Sequence, residues 1–140
     1  GAANLHALPL HLPLLPVRAT CGFPSPAEDF YGSQDVLDIN QRVVRNPVAT
    51  FYVEADTGTS MVEFGIFPGD TLVVDRSLTA RHNHIVIAEI NGEVTVKRLY
   101  SRNGIIRLKA ANVTYPDIAP EPGHEWTIWG VVTHVIKDLI

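Results

Sequence analysis

Residues 85–99 read IVIAEINGEVTVKRL, and this stretch decides the fold. Its apolar positions, Ile85 to Ala88 and then Val94 and Val96, are mostly β-branched, the composition of strands rather than helices. Between them stands Asn91-Gly92, a pair that tolerates positive φ at both central positions of a type I′ turn. The reading is a β-hairpin, with strands at Ile85–Ile90 and Glu93–Leu99.

The same pattern extends in both directions. A second Asn-Gly, at Asn103-Gly104, joins a further strand at Ile105–Ala110. Upstream, Thr50–Ala55 and Thr71–Val74 are strand-like, and the turn Pro68-Gly69-Asp70 precedes the second of them. The stretch Trp126–Lys137 is a long strand rich in β-branched and aromatic residues, with Trp126 and Trp129 on opposite faces, one in the core and the other a candidate for a dimer interface. One short helix is expected ahead of the strands. Asp38 and Gln41 have capping-box spacing, Ile39, Val43 and Val44 supply a buried side, and Asn46-Pro47 ends it. Short strands, polar turns and a single short helix predict a mainly β fold, a compact twisted antiparallel β domain.

Residues 1–34 read differently. Pro9, Pro13, Pro16, Pro24 and Pro26 each push the preceding residue towards extended conformations. The segment is expected to be an extended arm, and Leu8, Leu10, Leu14, Leu15 and Phe23 suggest that it lies on another surface. The expected organisation is an arm at 1–34 and a β-rich domain at 35–140.

A chain of 140 residues fits one domain with a real core. Its 46% hydrophobic and 19% charged residues argue against extensive disorder. A net charge of −4 argues against direct, non-specific nucleic-acid binding. The single cysteine, Cys21, rules out an internal disulfide and is consistent with a reducing cytoplasm. The scattered histidines have no metal-ligand spacing, so neither a metal nor a cofactor is expected. Ala7–Val17 is apolar but broken by prolines, and no stretch is long enough to span a membrane.

Chemistry enters with two motifs. Gly58-Thr59-Ser60-Met61 puts small residues ahead of a serine, just after a strand, where a tight turn can present the hydroxyl. Lys97 stands in the hairpin strand among β-branched residues, where desolvation lowers an ammonium's pKa. A neutral lysine amine can take the proton of a serine hydroxyl, and Ser–Lys pairs are a known form of nucleophilic catalysis. Taken singly, a serine after glycine is usually a turn residue and a strand lysine a solvated charge. Cys21 has no obvious histidine partner and is not expected to be a nucleophile.

A third element joins the two motifs. Cys21-Gly22-Phe23-Pro24-Ser25-Pro26-Ala27, Asn40-Gln41, Ser60-Met61, Gly69-Asp70, Val73-Val74-Asp75 and Ile85-Val86-Ile87-Ala88 occur in order. Gly92-Glu93, Thr95-Val96-Lys97, Gly130-Val131-Val132 and His134-Val135-Ile136-Lys137 follow. From about residue 20 to the end, this series resembles the LexA/UmuD family of self-cleaving Ser-Lys proteins. Lys97 follows Ser60 by 37 positions, which suits that family. The chain departs from UmuD-type members in two places. Thr59 stands where they carry an acidic residue, and the segment 55–59 is one residue longer.

The resemblance implies a fold of the LexA/signal-peptidase type and a homodimer. It implies Ser60 as nucleophile, Lys97 as general base and Cys21–Gly22 as the scissile bond. It further implies cleavage stimulated by the RecA–single-stranded-DNA filament in the SOS response. The shortened product would serve a UmuC-type Y-family polymerase in translesion synthesis. A repressor is disfavoured because only about twenty proline-rich residues precede Cys21, too few for a helix-turn-helix reader. The alternative is a Ser-Lys processing peptidase acting on other proteins.

Overall fold

The computed structural model describes residues 8–24, 35–58, 60–110, 112, 114–119 and 125–140. The chain divides into two units, Gly1–Val43 and Val44–Ile140.

In the first unit, β1 (Leu12–Leu14) pairs antiparallel with β2 (Asp35–Leu37), setting Leu12 opposite Leu37 and Leu14 opposite Asp35. Three-residue strands carry too little period to be read from sequence. Pro13 is tolerated because a two-stranded ribbon leaves an outer edge that needs no donor. Helix α1 spans Ile39–Val43. The Asp38 carboxylate accepts from the Asn40 amide at 2.9 Å, capping its first turn. Ile39, expected on a buried side, is exposed, since five residues are too few to form an apolar stripe.

The second unit opens with a 3-10 turn, Pro47–Ala49, steadied by Thr50 Oγ1 donating to the Asn46 carbonyl at 2.6 Å. Six strands follow, β3 (Thr50–Glu54), β4 (Thr71–Asp75), β5 (Ile85–Ile90), β6 (Glu93–Arg102), β7 (Ile105–Lys109) and β8 (Trp126–Ile136). They form one sheet in the order β3-β4-β8-β5-β6-β7, every pair antiparallel. The expected strands are all present, most within a residue of their expected ends, although β6 runs three residues further than its expected end at Leu99. At the β5–β6 turn, Asn91 and Gly92 have φ of 50° and 83°, the double positive that a type I′ turn requires.

Strand β5 explains why its sequence is a run of apolar residues rather than an alternation. Ile87 packs with Met61, Ile66, Leu72 and Val74 on one face. Val86 and Ala88 pack with Leu99 and Leu108 on the other. A strand covered on both faces has no polar side to show.

Strand β8 lies between β4 and β5 and is bulged twice. Against β5 the extra residue is Trp129, and against β4 it is Thr133. Trp126 packs on the Val86 cluster, whereas Trp129 is exposed and donates from Nε1 to Glu89 at 3.0 Å. The two rings are thus on opposite faces, as the spacing predicts. Next to the bulge, Gly130 passes so near β4 that an added Cβ would lie 2.8 Å from Val74 Cγ1 and 2.9 Å from the Asp75 carbonyl oxygen.

Candidate active site

Ser60 stands at the start of a turn between β3 and β4. The turn is shaped by its neighbours. Gly58 has φ of 112°, closed to residues with a Cβ. After Ser60 the chain enters a 3-10 turn, Val62–Phe64, with the Met61 carbonyl accepting from Phe64 at 3.1 Å and Ile66 at 3.3 Å. Met61 and Ile66 are buried in the core against Leu72 and Ile87. The residue immediately after the serine is therefore an anchor, while Ser60 itself stays half-buried. Thr59 lies outside the described residues.

Lys97 comes from the middle of β6, opposite Val86 of β5, which is fully buried. Lys97 is itself only 7% exposed. Its Nζ lies 3.0 Å from Ser60 Oγ, a hydrogen bond between residues brought together from opposite halves of the sheet. Burial lowers the Lys97 pKa from its ordinary value, and Tyr115, whose ring is 5.8 Å from Nζ, acts in the opposite sense. The cause is desolvation, since an ammonium loses more than an amine when water is removed.

Beside Ser60 lies a cleft of about 340 Å³ walled by Val53, Ile66, Phe67, Ile87 and Val96. Glu54, Asp56 and Thr95 line it too, so apolar and polar groups share its wall, and its size suits a few side chains of an extended peptide. One wall is fixed by Asp70, a buried carboxylate. Asp70 accepts from the Phe67 amide at 2.9 Å and from Lys137 Nζ. The Lys137 hydrogen bond, then the Phe67 amide, hold its pKa below the ordinary carboxylate range against the effect of burial. The sequence marks Pro68-Gly69-Asp70 as a turn and Gly69-Asp70 as a family match, and neither reveals this role. The signal available was an acid directly before an apolar strand with a lysine, Lys137, at the end of another.

The arrangement is a hydroxyl and a desolvated amine in contact, with the hydroxyl at the edge of a cleft that also carries Glu54 and Asp56. The Peptidase S24-like family profile matches residues 13–133. The chain belongs to the S24-like peptidase family. Among curated proteins it is 42% identical to Protein MucA of Salmonella typhimurium over 139 residues, covering 99% of this chain and 90% of that protein. It is 45% identical to Protein SamA of Salmonella typhimurium (strain LT2), covering 89% of this chain and 84% of that one. It is also 34% identical to the LexA repressor of Marinomonas sp. (strain MWYL1), covering 89% of this chain and 59% of the repressor. The mainly β fold, with one short helix, is that of an S24-like LexA-type domain. The S24-like peptidases to which it is related include self-cleaving proteins of the SOS response.

Cys21 and Gly22 lie in the first unit, in an exposed bend rather than an extended strand. Thr20 Oγ1 closes this bend by donating to the Phe23 carbonyl at 2.8 Å. The expectation of an extended segment from Pro24 did not include this side-chain bond, which satisfies a backbone acceptor locally. A Cβ added at Gly22 would meet nothing within 4 Å. Ser25, Pro26 and Ala27 of the same motif lie outside the described residues. Among the described residues, no helix is long and apolar enough to cross a membrane.

Proposed function

We propose that this S24-like chain is a Ser-Lys autoprotease that severs its own Cys21–Gly22 bond. The observation that carries the reading is the 3.0 Å contact between Lys97 Nζ and Ser60 Oγ inside a desolvated pocket. Once deprotonated, the Lys97 amine accepts the Ser60 proton along that line. The Ser60 oxygen then attacks the Cys21 carbonyl carbon, and backbone N–H groups of the turn stabilise the oxyanion. Collapse breaks the Cys21–Gly22 bond. The Gly22 amine leaves with the proton held on Lys97, and Cys21 remains as an ester on Ser60 until water releases it.

In the wider reading, the chain is a cytoplasmic homodimer whose cleavage is stimulated by the RecA–single-stranded-DNA filament. The product beginning at Gly22 is an accessory subunit of a UmuC-type Y-family polymerase in translesion synthesis. The similarity to MucA over nearly the whole length of both chains supports this placement.

Incubation of the purified chain at alkaline pH, followed by N-terminal sequencing, tests the reading. A fragment starting at Gly22 is expected, and Ser60→Ala abolishes it while the melting temperature stays near that of the parent. Gly22→Val slows cutting without affecting the fold, because space around that Cβ is open. Cleavage that persists in Ser60→Ala, or that starts elsewhere, refutes the assignment.

A further inference from the structure

Positive charge is unevenly spread over this chain. Residues 97–109, KRLYSRNGIIRLK, include Arg98, Arg102, Arg107 and Lys109 and no acidic residue, in a protein whose net charge is −4. Strand pairing sorts these side chains by face. Residues directly opposite across an antiparallel pair emerge on the same side. Arg98 faces Lys109, Tyr100 faces Arg107, and Arg102 faces Ile105. All six therefore share one face of the β6–β7 hairpin. Leu99 and Leu108, also paired, point the other way into the core. Alternate residues on a strand are about 6.8 Å apart and adjacent strands about 4.8 Å apart, so the four cations occupy a strip roughly 14 Å by 5 Å.

Folding alone does not favour this strip. Arg98 and Lys109 are like charges directly opposite each other, which is destabilising. Three of the four cations are nonetheless held in place, mostly by neutral partners. Arg98 Nη1 donates to Asn83 Oδ1 at 2.6 Å, Arg107 Nη1 to the Ile106 carbonyl at 2.8 Å, and Lys109 Nζ lies 4.7 Å from the centre of the Tyr100 ring. These partners set direction without cancelling charge. Among the described residues, the carboxylate that pairs with this face is Asp117, 3.6 Å from Lys109 and itself largely solvent-facing. His82 packs edge-on to Tyr100 with 5.0 Å between ring centres, and its Nδ1 accepts from the Ser101 amide at 3.1 Å. Its pKa is lowered by desolvation and then by Arg102, Arg98 and Lys109, in keeping with a local field that is positive.

We propose that the Arg98–Arg102–Arg107–Lys109 face of the β6–β7 hairpin binds the phosphodiester backbone of single-stranded nucleic acid. Three of the four cations are arginines, whose planar fork can grip two oxygens of one phosphate. Ile105 and the aliphatic stems on the same face offer apolar surface to a base. An acidic peptide adding as a strand beside this face would need the outer edge of β7. That edge is already closed at Leu108, which exchanges two 2.8 Å backbone hydrogen bonds with Ile118. The net charge, which argues against such binding, averages away this one-sided distribution. The proposal does not depend on Ser60 or Lys97.

Fluorescence anisotropy of labelled oligothymidylate, titrated with the full chain over a salt series, tests it. Four phosphate contacts predict a log–log salt slope of about −2.8, a loss of roughly 50-fold between about 50 and 200 mM salt. The double variant Arg102→Gln/Arg107→Gln should halve that slope to about −1.4. Because both side chains leave the solvent-facing side of the hairpin, the melting temperature should not fall. If it does fall, Arg102→Lys/Arg107→Lys, which keeps charge and stem, decides the matter by restoring the parent slope. Absence of binding at low salt overturns the proposal, as does a slope unchanged in the glutamine variant. Displacement by polyglutamate as effective as by unlabelled oligothymidylate also overturns it, making the face a dock for acidic protein.

Discussion

The pH dependence of the proposed self-cleavage is the sharpest consequence of the Lys97 environment. An ordinary lysine, with a pKa of 10.5, is neutral in roughly one molecule in three thousand at pH 7. Burial lowers the Lys97 value, so the active fraction is larger, and below that lowered pKa it grows tenfold with each pH unit. A plot of log rate against pH should therefore rise with a slope of about +1 and level off below 10.5. Lys97→Arg should be inactive at every accessible pH, because a guanidinium stays protonated. Lys97→Ala should lose on the order of 10²–10⁴-fold or more, the usual contribution of a positioned general base. The same burial has a stability side. Where the unfolded state binds more protons than the folded one, stability rises with pH. For Lys97 that window runs from its lowered folded value up to 10.5, and below it the cost of the buried charge is fully present. Lys97→Met, which keeps the length and drops the charge, should be more stable than the parent at neutral pH, with the advantage shrinking as pH rises through the window. Rates from quenched gel assays and melting curves over the same buffers check both halves. A flat rate profile in the parent chain, or residual cutting by Lys97→Arg, would refute the reasoning.

Two further outcomes follow from the packing. Gly130→Ala should destabilise by about 1–3 kcal/mol, because the new methyl meets a backbone oxygen that belongs to the β4–β8 ladder and cannot rotate away; urea unfolding measures it. Asp70, held below the ordinary carboxylate range, contributes stability that is complete above its unfolded pKa and lost as pH falls through the lowered folded one. Asp70→Asn should flatten that acid limb in thermal melts, and an unchanged limb would mean that the Lys137–Asp70 contact does not persist in solution.

Much of this was legible in the chain because the fold is made of hairpins with strong local signals. Asn91-Gly92 and Asn103-Gly104 fix two turns, and the apolar runs around them define strands whose ends are reproduced closely, the end of β6 excepted. The serine–lysine pair was legible from motif order, although no periodicity places residues 60 and 97 side by side; only the sheet order does that. What stayed hidden was mostly short or non-local. The β1–β2 ribbon has three-residue strands. The bend at Thr20–Phe23 depends on one hydroxyl. The Asp70–Lys137 pair joins residues 67 positions apart, and neither residue alone marks it.

Strand β8 also decides how late in synthesis the sheet can be completed. It is the last of the six strands to leave the ribosome, yet it sits third in the sheet and, among the described residues, is the strand that joins the β3–β4 ladder to the β5–β6–β7 ladder. The hydroxyl belongs to the first of these halves and its amine to the second. A nascent chain can form each half early, but the two halves lack their shared seam until residues 126–136 have been synthesised. For the proposed self-cleavage, the seam that unites serine and lysine is thus the last part of the sheet to be made.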